Sequence, residues 1–319
     1  MIISASRRTD IPAFYSEWFF NRLAEGFAYV RNPFNSHRIS KVSVDPEVVD
    51  CIVFWTKNPK AMLERLDDLR NYRYYFQFTL NPYDKTVEVN VPGKSEIIES
   101  FIRLSESVGS KRVIWRYDPI LLTDRYTKEY HYKYFDYLAG KLHKYTGKCV
   151  ISFIDIYAKT QRNMKHIQLL PLAEADMLEM AGNLSSIAGK YGLRIEACSE
   201  NIDLGSLGIR KSSCIDGKLI SELLGQELLF KKDKNQRESC GCAASIDIGE
   251  YNTCNNNCLY CYANFNSDSV NKNIARHNPA APLLIGDICE KDVIVERAML
   301  SYRDNTEKQI SMFTRHCRS

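Results

Sequence analysis

Three cysteines near the end of the chain have a spacing that suits an iron–sulfur centre. Cys254, Cys258 and Cys261 follow one another as C-x3-C-x2-C in the segment YNTCNNNCLYCYAN. Thiolates this close together on one loop reach three corners of a cubane [4Fe-4S] cluster, and three protein ligands leave one iron open to a small molecule. A loop with three consecutive asparagines is not core material, so we do not expect three inert buried thiols here.

Two other interpretations of this group stay open. Structural zinc sites favour C-x2-C pairs and have four protein ligands, and iron–sulfur sites for electron transfer or sensing are usually closed as well. The missing fourth cysteine argues against both interpretations. Cys240 or Cys242 would supply that ligand, however, so a zinc-binding module and an electron-transfer or sensor protein remain as alternatives.

Four further cysteines are predicted to form a second group. Cys240 and Cys242 precede the first group, Cys198 closes a predicted strand, and Cys214 lies in the loop that follows. Strand ends and their loops share one face of a parallel α/β fold, so we expect the four thiols to converge. Four thiolates suit a second, fully ligated cluster ahead of structural zinc, in a role of electron relay or substrate anchoring. In the competing interpretation some of them are simply buried.

Short apolar runs alternate with helical patterns along most of the chain. Strands are predicted at residues 1–4, 51–55, 74–80, 112–115, 149–154 and 194–197. Helices are predicted at residues 62–69, 97–108, 171–191 and 218–224. Nearly continuous apolar runs are typical of parallel strands buried on both faces, with Cys51 and Cys149 as core residues. The repeated strand–helix units predict an α/β fold, either a barrel or an open doubly wound sheet.

Changes in composition and in the apolar pattern divide the chain into three predicted parts. Residues 1–230 are predicted to form a (β/α) barrel core with a β-hairpin insertion near residues 30–44. Residues 231–280 are a cysteine-rich segment that completes the barrel and binds the cluster. Residues 281–319 are a C-terminal extension, with a helix predicted at residues 293–300 and a mobile tail from Arg303.

Several motifs resemble those of known enzymes. The C-x3-C-x2-C spacing, with Tyr260 directly before the last cysteine, resembles the signature of the radical S-adenosylmethionine superfamily. FWTKNPKAMLERLDDL (residues 54–69), YFQFTLNPYD (75–84) and VIWRYDPIL (113–121) resemble strand ends of spore photoproduct lyase-like enzymes of that superfamily. Nearly the whole chain, including the opening SASRRTDIPAFY, resembles the DUF1848 family.

These resemblances imply a fold and a chemistry. The fold would be a partial or full TIM-like parallel (β/α) barrel, circularly permuted so that residues 245–249 form the first strand and residues 2–4 the second. The chemistry would be reductive cleavage of S-adenosylmethionine at a [4Fe-4S] cluster to a 5′-deoxyadenosyl radical, which abstracts hydrogen from a substrate. A reductant such as ferredoxin or flavodoxin is implied, whereas no particular substrate is.

Polar side chains at the predicted strand ends are candidates for binding the cofactor. They are Ser4, Arg7, Arg8, Asp10, Thr56, Lys57, Asn58, Gln77, Thr79, Arg116, Asp118 and Tyr260. Adjacent arginines can hold a carboxylate, a ribose or an anionic substrate. The Gly-Gly-Glu with which many relatives hold the cofactor amine is absent, so the amine ligand and the catalytic residues stay unassigned. Glu196 lies within a strand, where burial would require a partner.

Composition narrows the class of protein further. The chain has 319 residues, 45% of them hydrophobic, and a net charge of +4. This mild charge gives a nucleic-acid partner little support. No apolar run approaches the roughly 18–20 residues that span a bilayer, and the N-terminus lacks the features of a signal peptide. We therefore expect a cytoplasmic protein with reduced cysteines and no membrane partner. The histidines show no metal-ligand spacing, and His131, His143 and His166 are predicted to lie on the surface.

Overall fold

A computed structural model describes residues 1–303 of the chain. Its strands are β1 (Ile2–Ala5), β2 (Phe27–Asn32), β3 (Asn35–Ser43), β4 (Cys51–Thr56), β5 (Tyr74–Thr79), β6 (Val113–Ile120), β7 (Lys148–Phe153), β8 (Arg194–Cys198), β9 (Arg210–Ser212), β10 (Ser245–Asp247) and β11 (Val293–Glu296). Its α-helices are α1 (Ile11–Phe14), α2 (Ser16–Glu25), α3 (Lys60–Leu63), α4 (Lys94–Val108), α5 (Lys128–Leu142), α6 (Ala158–Asn163), α7 (Glu174–Lys190), α8 (Gly217–Leu224) and α9 (Ser267–Ile274). Short 3₁₀ helices cover Leu66–Leu69, Ser110–Arg112 and Gly205–Leu207.

Eight of the strands form one parallel sheet in the order β10-β1-β4-β5-β6-β7-β8-β9. Strand β10 pairs with β1, with Ile2 opposite Ser245, so the predicted neighbours are confirmed. From β4 to β8 the sheet is extended one strand at a time, with helices in most of the crossovers, as parallel α/β folds are built. Strands β10 and β9 are the two edges, and no pairing among residues 1–303 joins them. The α/β class is therefore confirmed, whereas a closed barrel is not observed.

Alternate residues of the strands enter two separate apolar clusters. On one face, aromatic side chains pack against the helices: Phe54 stacks on Phe76 with ring centroids 4.8 Å apart, and Trp115 stacks on Phe135 of α5 at 5.0 Å. Helix α4 packs against this face and ends at Gly109, where φ is +89° and glycine carries no steric penalty. Stacked and edge-to-face rings fill the layer between sheet and helices.

The other face of the sheet is covered by residues 213–243, which include the short helix α8. Its cluster includes Ile2, Val53 and Tyr75 from the strands, with Ile215 and Ile220 packed against them. Cys51 lies in this cluster and Cys149 in the helix-facing one, and both are fully buried, so their predicted core positions are confirmed.

A second, smaller sheet forms where a hairpin insertion is predicted. Strands β2 and β3 pair antiparallel, and β11 pairs parallel with β3, with Val293 opposite Arg38. The prediction of a helix at residues 293–300 is wrong because the run Val293–Glu296 (VIVE) is β-branched and finds the free edge of β3. The predicted mobile tail lies outside the described residues, apart from Arg303 itself.

Two smaller expectations also change. The helix predicted at residues 62–69 is broken into the short α3 and the 3₁₀ turn Leu66–Leu69. His131 is completely buried, with its ring nitrogens 2.8 Å from the Tyr117 hydroxyl and 2.9 Å from the Leu121 carbonyl oxygen. Its predicted surface position is wrong because α5 turns that side chain toward the sheet. None of the described helices combines the length and the apolarity needed to cross a membrane.

Candidate metal and cofactor site

A cavity of about 330 Å³ lies at the carboxyl ends of the parallel strands. This is the end of an α/β fold where strand-to-helix loops converge and ligands bind. Both cysteine groups line the cavity: Cys254, Cys258 and Cys261 from the loop after β10, and Cys198, Cys214, Cys240 and Cys242 from β8 and the segments around α8. The two groups that the sequence separates thus face one space.

Most of the predicted cofactor-binding residues line the same cavity. They are Arg7, Arg8, Asp10, Thr56, Lys57, Thr79, Arg116, Asp118 and Tyr260. Ser4, Asn58 and Gln77 do not line it. Gln77 donates to the carbonyl oxygen of Cys214, which does line the cavity, and Ser4 donates to Asp247 behind the lining. The Asn58 side chain accepts a hydrogen bond from the backbone N–H of Lys60 at the start of α3.

The loop of the first cysteine group is fixed by main-chain pairing with residues 84–91. Glu88 and Cys258 form an antiparallel bridge, and the Leu259 N–H donates to the Val87 carbonyl oxygen at 2.9 Å. Asn257 has a φ of +47°, a left-handed conformation that asparagine tolerates better than most residues. The run of asparagines is therefore a tight turn that presents the cysteines on either side of it.

Burial and hydrogen bonding set the electrostatics of these three thiols. Burial raises the pKa of all of them, to about 12 for Cys258, because an isolated thiolate is poorly solvated there. The Ala263 N–H lies 3.3 Å from the Cys261 sulfur, a donor of the kind that stabilises iron-bound thiolates. The three cysteines are therefore stable as thiolates in this loop only when a cation compensates their charge.

Asp10 connects the N-terminal segment to this loop. Its buried carboxylate accepts hydrogen bonds from the Lys57 N–H at 2.7 Å and from the Asn256 side-chain amide at 3.1 Å. It also caps α1 by accepting from the Ala13 N–H. Burial raises the pKa of Asp10 to about 6 although these donors oppose the shift. The contacts make Asp10 a positioning residue for the loop rather than a free ligand.

Asp247 holds the ends of β10 and β1 together. Its carboxylate accepts from the hydroxyls of Ser4 and Ser6, each at 2.7 Å, and from the Arg7 N–H at 2.9 Å. Gly249, two residues later, has no room for a side chain because a Cβ there would collide with the Ser6 hydroxyl. This packing orients Arg7 and Arg8 toward the cavity.

A buried charge network lies under Tyr260. Glu88 accepts from the Tyr260 hydroxyl at 2.6 Å and forms ion pairs with Lys57 at 2.8 Å and Lys94 at 2.6 Å. Burial acts to lower the pKa of Lys57, but the charge and hydrogen bond of Glu88, together with the charges of Cys258 and Asp118, outweigh it, and the pKa is raised overall. Lys57 therefore stays cationic beside Cys258, whose thiolate it would stabilise.

The second cysteine group is a chain of touching thiols. The sulfurs of Cys198 and Cys214 are 3.3 Å apart, Cys214 shares a side-chain hydrogen bond with Cys242, and Cys242 shares one with Cys240. The hydrogen bond from Cys242 lowers the pKa of Cys240 to about 6. No disulfide is formed among the described cysteines. The expected convergence of these four residues at one end of the fold is present.

Arg116 connects this group to the strand ends. Its guanidinium lies 3.1 Å from the Cys214 sulfur, forms an ion pair with Asp118 and donates to the Gln77 side-chain carbonyl at 3.3 Å. Gln77 in turn donates to the Cys214 carbonyl oxygen at 2.9 Å. A fixed cation next to several thiols favours their thiolate forms.

Among the described residues, neither cysteine group brings three sulfurs within 4.8 Å of one another. Tetrahedral zinc with Zn–S bonds of about 2.3 Å brings its sulfurs to about 3.8 Å from one another. Among the described residues, only His37, Cys289 and Asp292 bring three such ligand atoms within 4.8 Å. That cluster is occupied internally, because Arg31 forms a bidentate ion pair with Asp292 at 2.8 and 2.9 Å.

One protein family matches the part of the chain that contains both cysteine groups. The profile of a family described as a domain of unknown function, DUF1848, matches residues 2–263. The chain belongs to the DUF1848 family. The matched region runs from β1 through the third cysteine of the first group, so both cysteine groups are part of the family domain. No curated protein matches the chain.

The sequence analysis did not predict roles for Glu88, Asp247 and Asn256. Their side chains form hydrogen bonds with residues that line the cavity. Asp247 carried a weak signal as a carboxylate at the end of a strand-like run. Glu88 carried none, because residues 84–91 have neither an apolar period nor a motif. Their roles depend on contacts between segments far apart in sequence.

Proposed function

We propose that this DUF1848 protein is a radical S-adenosylmethionine enzyme with a [4Fe-4S] cluster on Cys254, Cys258 and Cys261. The observation that carries the proposal is that one loop brings all three thiols to a single cavity at the carboxyl ends of a parallel sheet, beside Arg8 and Thr9. Three thiolates from one loop can hold three irons of a cubane cluster and leave the fourth iron open, whereas a structural zinc site has four protein ligands. When bound, the cluster would supply reductive cleavage of S-adenosylmethionine and hydrogen abstraction from a substrate.

The protein side chains would bind and orient the cofactor. Arg8 lies over the Tyr251 ring at 5.1 Å and makes two long polar contacts, 3.4 Å to the Gly249 carbonyl oxygen and 3.9 Å to the Asp247 carboxylate. Its guanidinium therefore has donors left for the methionine carboxylate, for which a bidentate pair is the strongest arrangement. The Thr9 hydroxyl also lines the cavity and is buried without a partner among residues 1–303. We assign it to a polar group of the cofactor.

Lys57, Glu88 and Tyr260 would keep the first loop in place while the cofactor binds. The ion pairs of Glu88 use both of its oxygens, so each side of the buried carboxylate faces a cation. Tyr260 closes the cavity toward Tyr83, with ring centroids 5.9 Å apart. A closed wall here keeps water away from a reactive radical.

We also propose that the second group holds a second [4Fe-4S] cluster, with zinc as the competing metal. Support comes from the four thiols, the neighbouring Arg116 and the N–H of Ile215, which donates to the Cys242 sulfur at 3.4 Å. Four protein ligands would close this centre, so electron relay fits it better than substrate anchoring. A one-electron donor such as ferredoxin or flavodoxin is the proposed partner.

The proposal is tested on anaerobically purified protein by measuring iron, sulfide and zinc, and by assaying 5′-deoxyadenosine formation from S-adenosylmethionine with dithionite. We expect about eight irons per chain and 5′-deoxyadenosine. About four irons with product would keep the activity and remove the second cluster. The matched control is Cys258→Ala, which we expect to abolish product while the second centre remains. Zinc alone without cofactor cleavage would replace the proposal with a zinc-binding module.

A further inference from the structure

A second opening, distinct from the cofactor cavity, lies at the amino ends of strands β6 to β9. It has a volume of about 290 Å³ and lies between these strand ends and helix α8. Five exposed cations surround it: Lys111, Arg194, Arg210, Lys211 and Lys218. In the described part of the chain, none of the five forms an ion pair with a carboxylate. We call this opening the basic cleft.

The carboxylates inside the basic cleft do not neutralise these cations. Glu196 and Asp216 both pair with the buried Lys148, whose ammonium lies 2.7 Å and 3.0 Å from their oxygens. The Ser212 hydroxyl also donates to Glu196, so the partner expected for Glu196 is present. Glu222 is the one other acidic residue of the lining. The rim therefore keeps a strong excess of exposed positive charge.

The basic cleft lies directly behind the second cysteine group. Ser213 and Asp216 line the cleft, whereas Cys214, between them, lines the cofactor cavity on the other side. The segment is held rigidly, because the Cys214 carbonyl accepts from the Tyr75 hydroxyl at 2.6 Å and the Asp216 N–H donates to the same hydroxyl at 2.9 Å. One stretch of backbone separates the cleft from the second group.

We propose that the basic cleft is the docking site of an acidic one-electron donor protein that reduces the centre at the second cysteine group. This inference rests on the proposed function. The donor loses one electron and the second centre gains it, with no bond or proton transfer. Charge complementarity selects the partner, because an acidic surface meets five unpaired cations and is steered toward them. Entry here leaves the cofactor cavity on the opposite side free for substrate.

The test compares two triple variants of the holoenzyme with an acidic flavodoxin as the probe. Arg194→Gln/Arg210→Gln/Lys211→Gln removes three cations of the cleft. Arg38→Gln/Lys272→Gln/Lys291→Gln is the control and removes three exposed cations elsewhere. Flavodoxin binding is measured by calorimetry at low and high salt, and product formation is measured with reduced flavodoxin and separately with dithionite.

We expect the cleft variant to raise the Kd and the KM for flavodoxin by about tenfold or more at low salt, with a smaller difference at high salt. The control variant and all dithionite rates should match the unmodified protein. Equal affinities for the two variants would overturn the proposal. So would a single-stranded oligonucleotide that binds the cleft more tightly than flavodoxin does, because the cleft would then recognise phosphates. Absence of product with dithionite would reject the proposed function instead, while the binding data would still report on docking.

Discussion

The two cysteine groups share one cavity but are built in opposite ways. The first group is a single loop of eight residues, Cys254 to Cys261, clamped by carboxylates and main-chain bonds from elsewhere: Asp10 holds Asn256, and Glu88 holds Tyr260. The second group gathers thiols from β8, the loop before α8 and the segment before β10, and these thiols contact one another directly. One site is positioned by its surroundings, and the other is held together by its own side chains.

This difference predicts which of the two regions stabilises the metal-free protein. Contacts around the first loop are buried charges and hydrogen bonds that persist without metal, so they should contribute to the fold directly. Contacts within the second group are weak thiol hydrogen bonds, which should contribute little until a metal binds. Mutations around the first loop should therefore lower the free energy of unfolding, whereas mutations in the second group should lower the metal content.

The largest effect is expected at Glu88. Replacing it in Glu88→Ala leaves Lys57 and Lys94 without their shared carboxylate and removes the acceptor of Tyr260. Breaking a buried ion pair in this way costs about 3–5 kcal/mol. Urea denaturation of the metal-free protein measures the loss.

The control for Glu88 is Glu99→Ala, a change of the same type at an exposed position of α4. It should alter the free energy of unfolding by less than about 0.5 kcal/mol. If both variants unfold at the same urea concentration, the clamp around the first loop does not stabilise the fold.

A smaller loss is expected at Gly249. In Gly249→Ala the new methyl group meets the Ser6 hydroxyl, which cannot turn away because it donates to Asp247 at 2.7 Å. Overpacking of this kind costs about 2 kcal/mol. Thermal denaturation of the metal-free protein measures it, with Gly93→Ala as the matched control, since nothing lies within 4 Å of a Cβ there. Equal melting temperatures would contradict the close packing of β10 on β1.

The strands that position the first cysteine group are predictable from the sequence, whereas the side chains that hold its loop are not. Strand positions follow from buried apolar runs, and the pairing of β10 with β1 follows from the position of the cysteine loop after a strand-like segment. Glu88 was not predictable, because its environment is created by the Cys254–Cys261 loop folding over residues 84–91. A buried carboxylate in a segment without periodicity looks like any surface loop residue.

The two wrong predictions, a helix at residues 293–300 and a surface position for His131, have a common physical cause. Residues 293–296 are a strand because the edge of β3 offers main-chain partners, and a short apolar run is compatible with helix or strand until that partner is known. His131 is buried because Tyr117 and Leu121 satisfy both of its nitrogens. In each case a tertiary contact decides what the local pattern leaves open.

The Tyr260 hydroxyl provides a finer test of the clamp. Tyr260→Phe removes the hydrogen bond to Glu88 and the one accepted from the Asn81 side-chain amide at 3.2 Å, but leaves both lysine ion pairs intact. A net loss of about 1.5 kcal/mol in the free energy of unfolding is expected from two hydrogen bonds. The control is Tyr137→Phe on the exposed side of α5, where 51% of the residue is accessible and no loss is expected. A loss at Tyr260 as large as at Glu88 would mean that the phenol, and not the ion pairs, dominates the network.

The smallest effect on stability, and the sharpest contrast, is expected at Cys198. Cys198→Ala removes one thiol contact, the 3.3 Å approach to Cys214, and should change the unfolding free energy of the metal-free protein by less than about 0.5 kcal/mol. The same variant should lower the iron content of the reconstituted protein by about four atoms, because a closed cluster needs each of its ligands. Cys289→Ala, at an exposed thiol outside both groups, should change neither quantity. A large loss of stability without loss of iron would mean that the second group is part of the hydrophobic core, and that the two regions differ in packing rather than in metal chemistry.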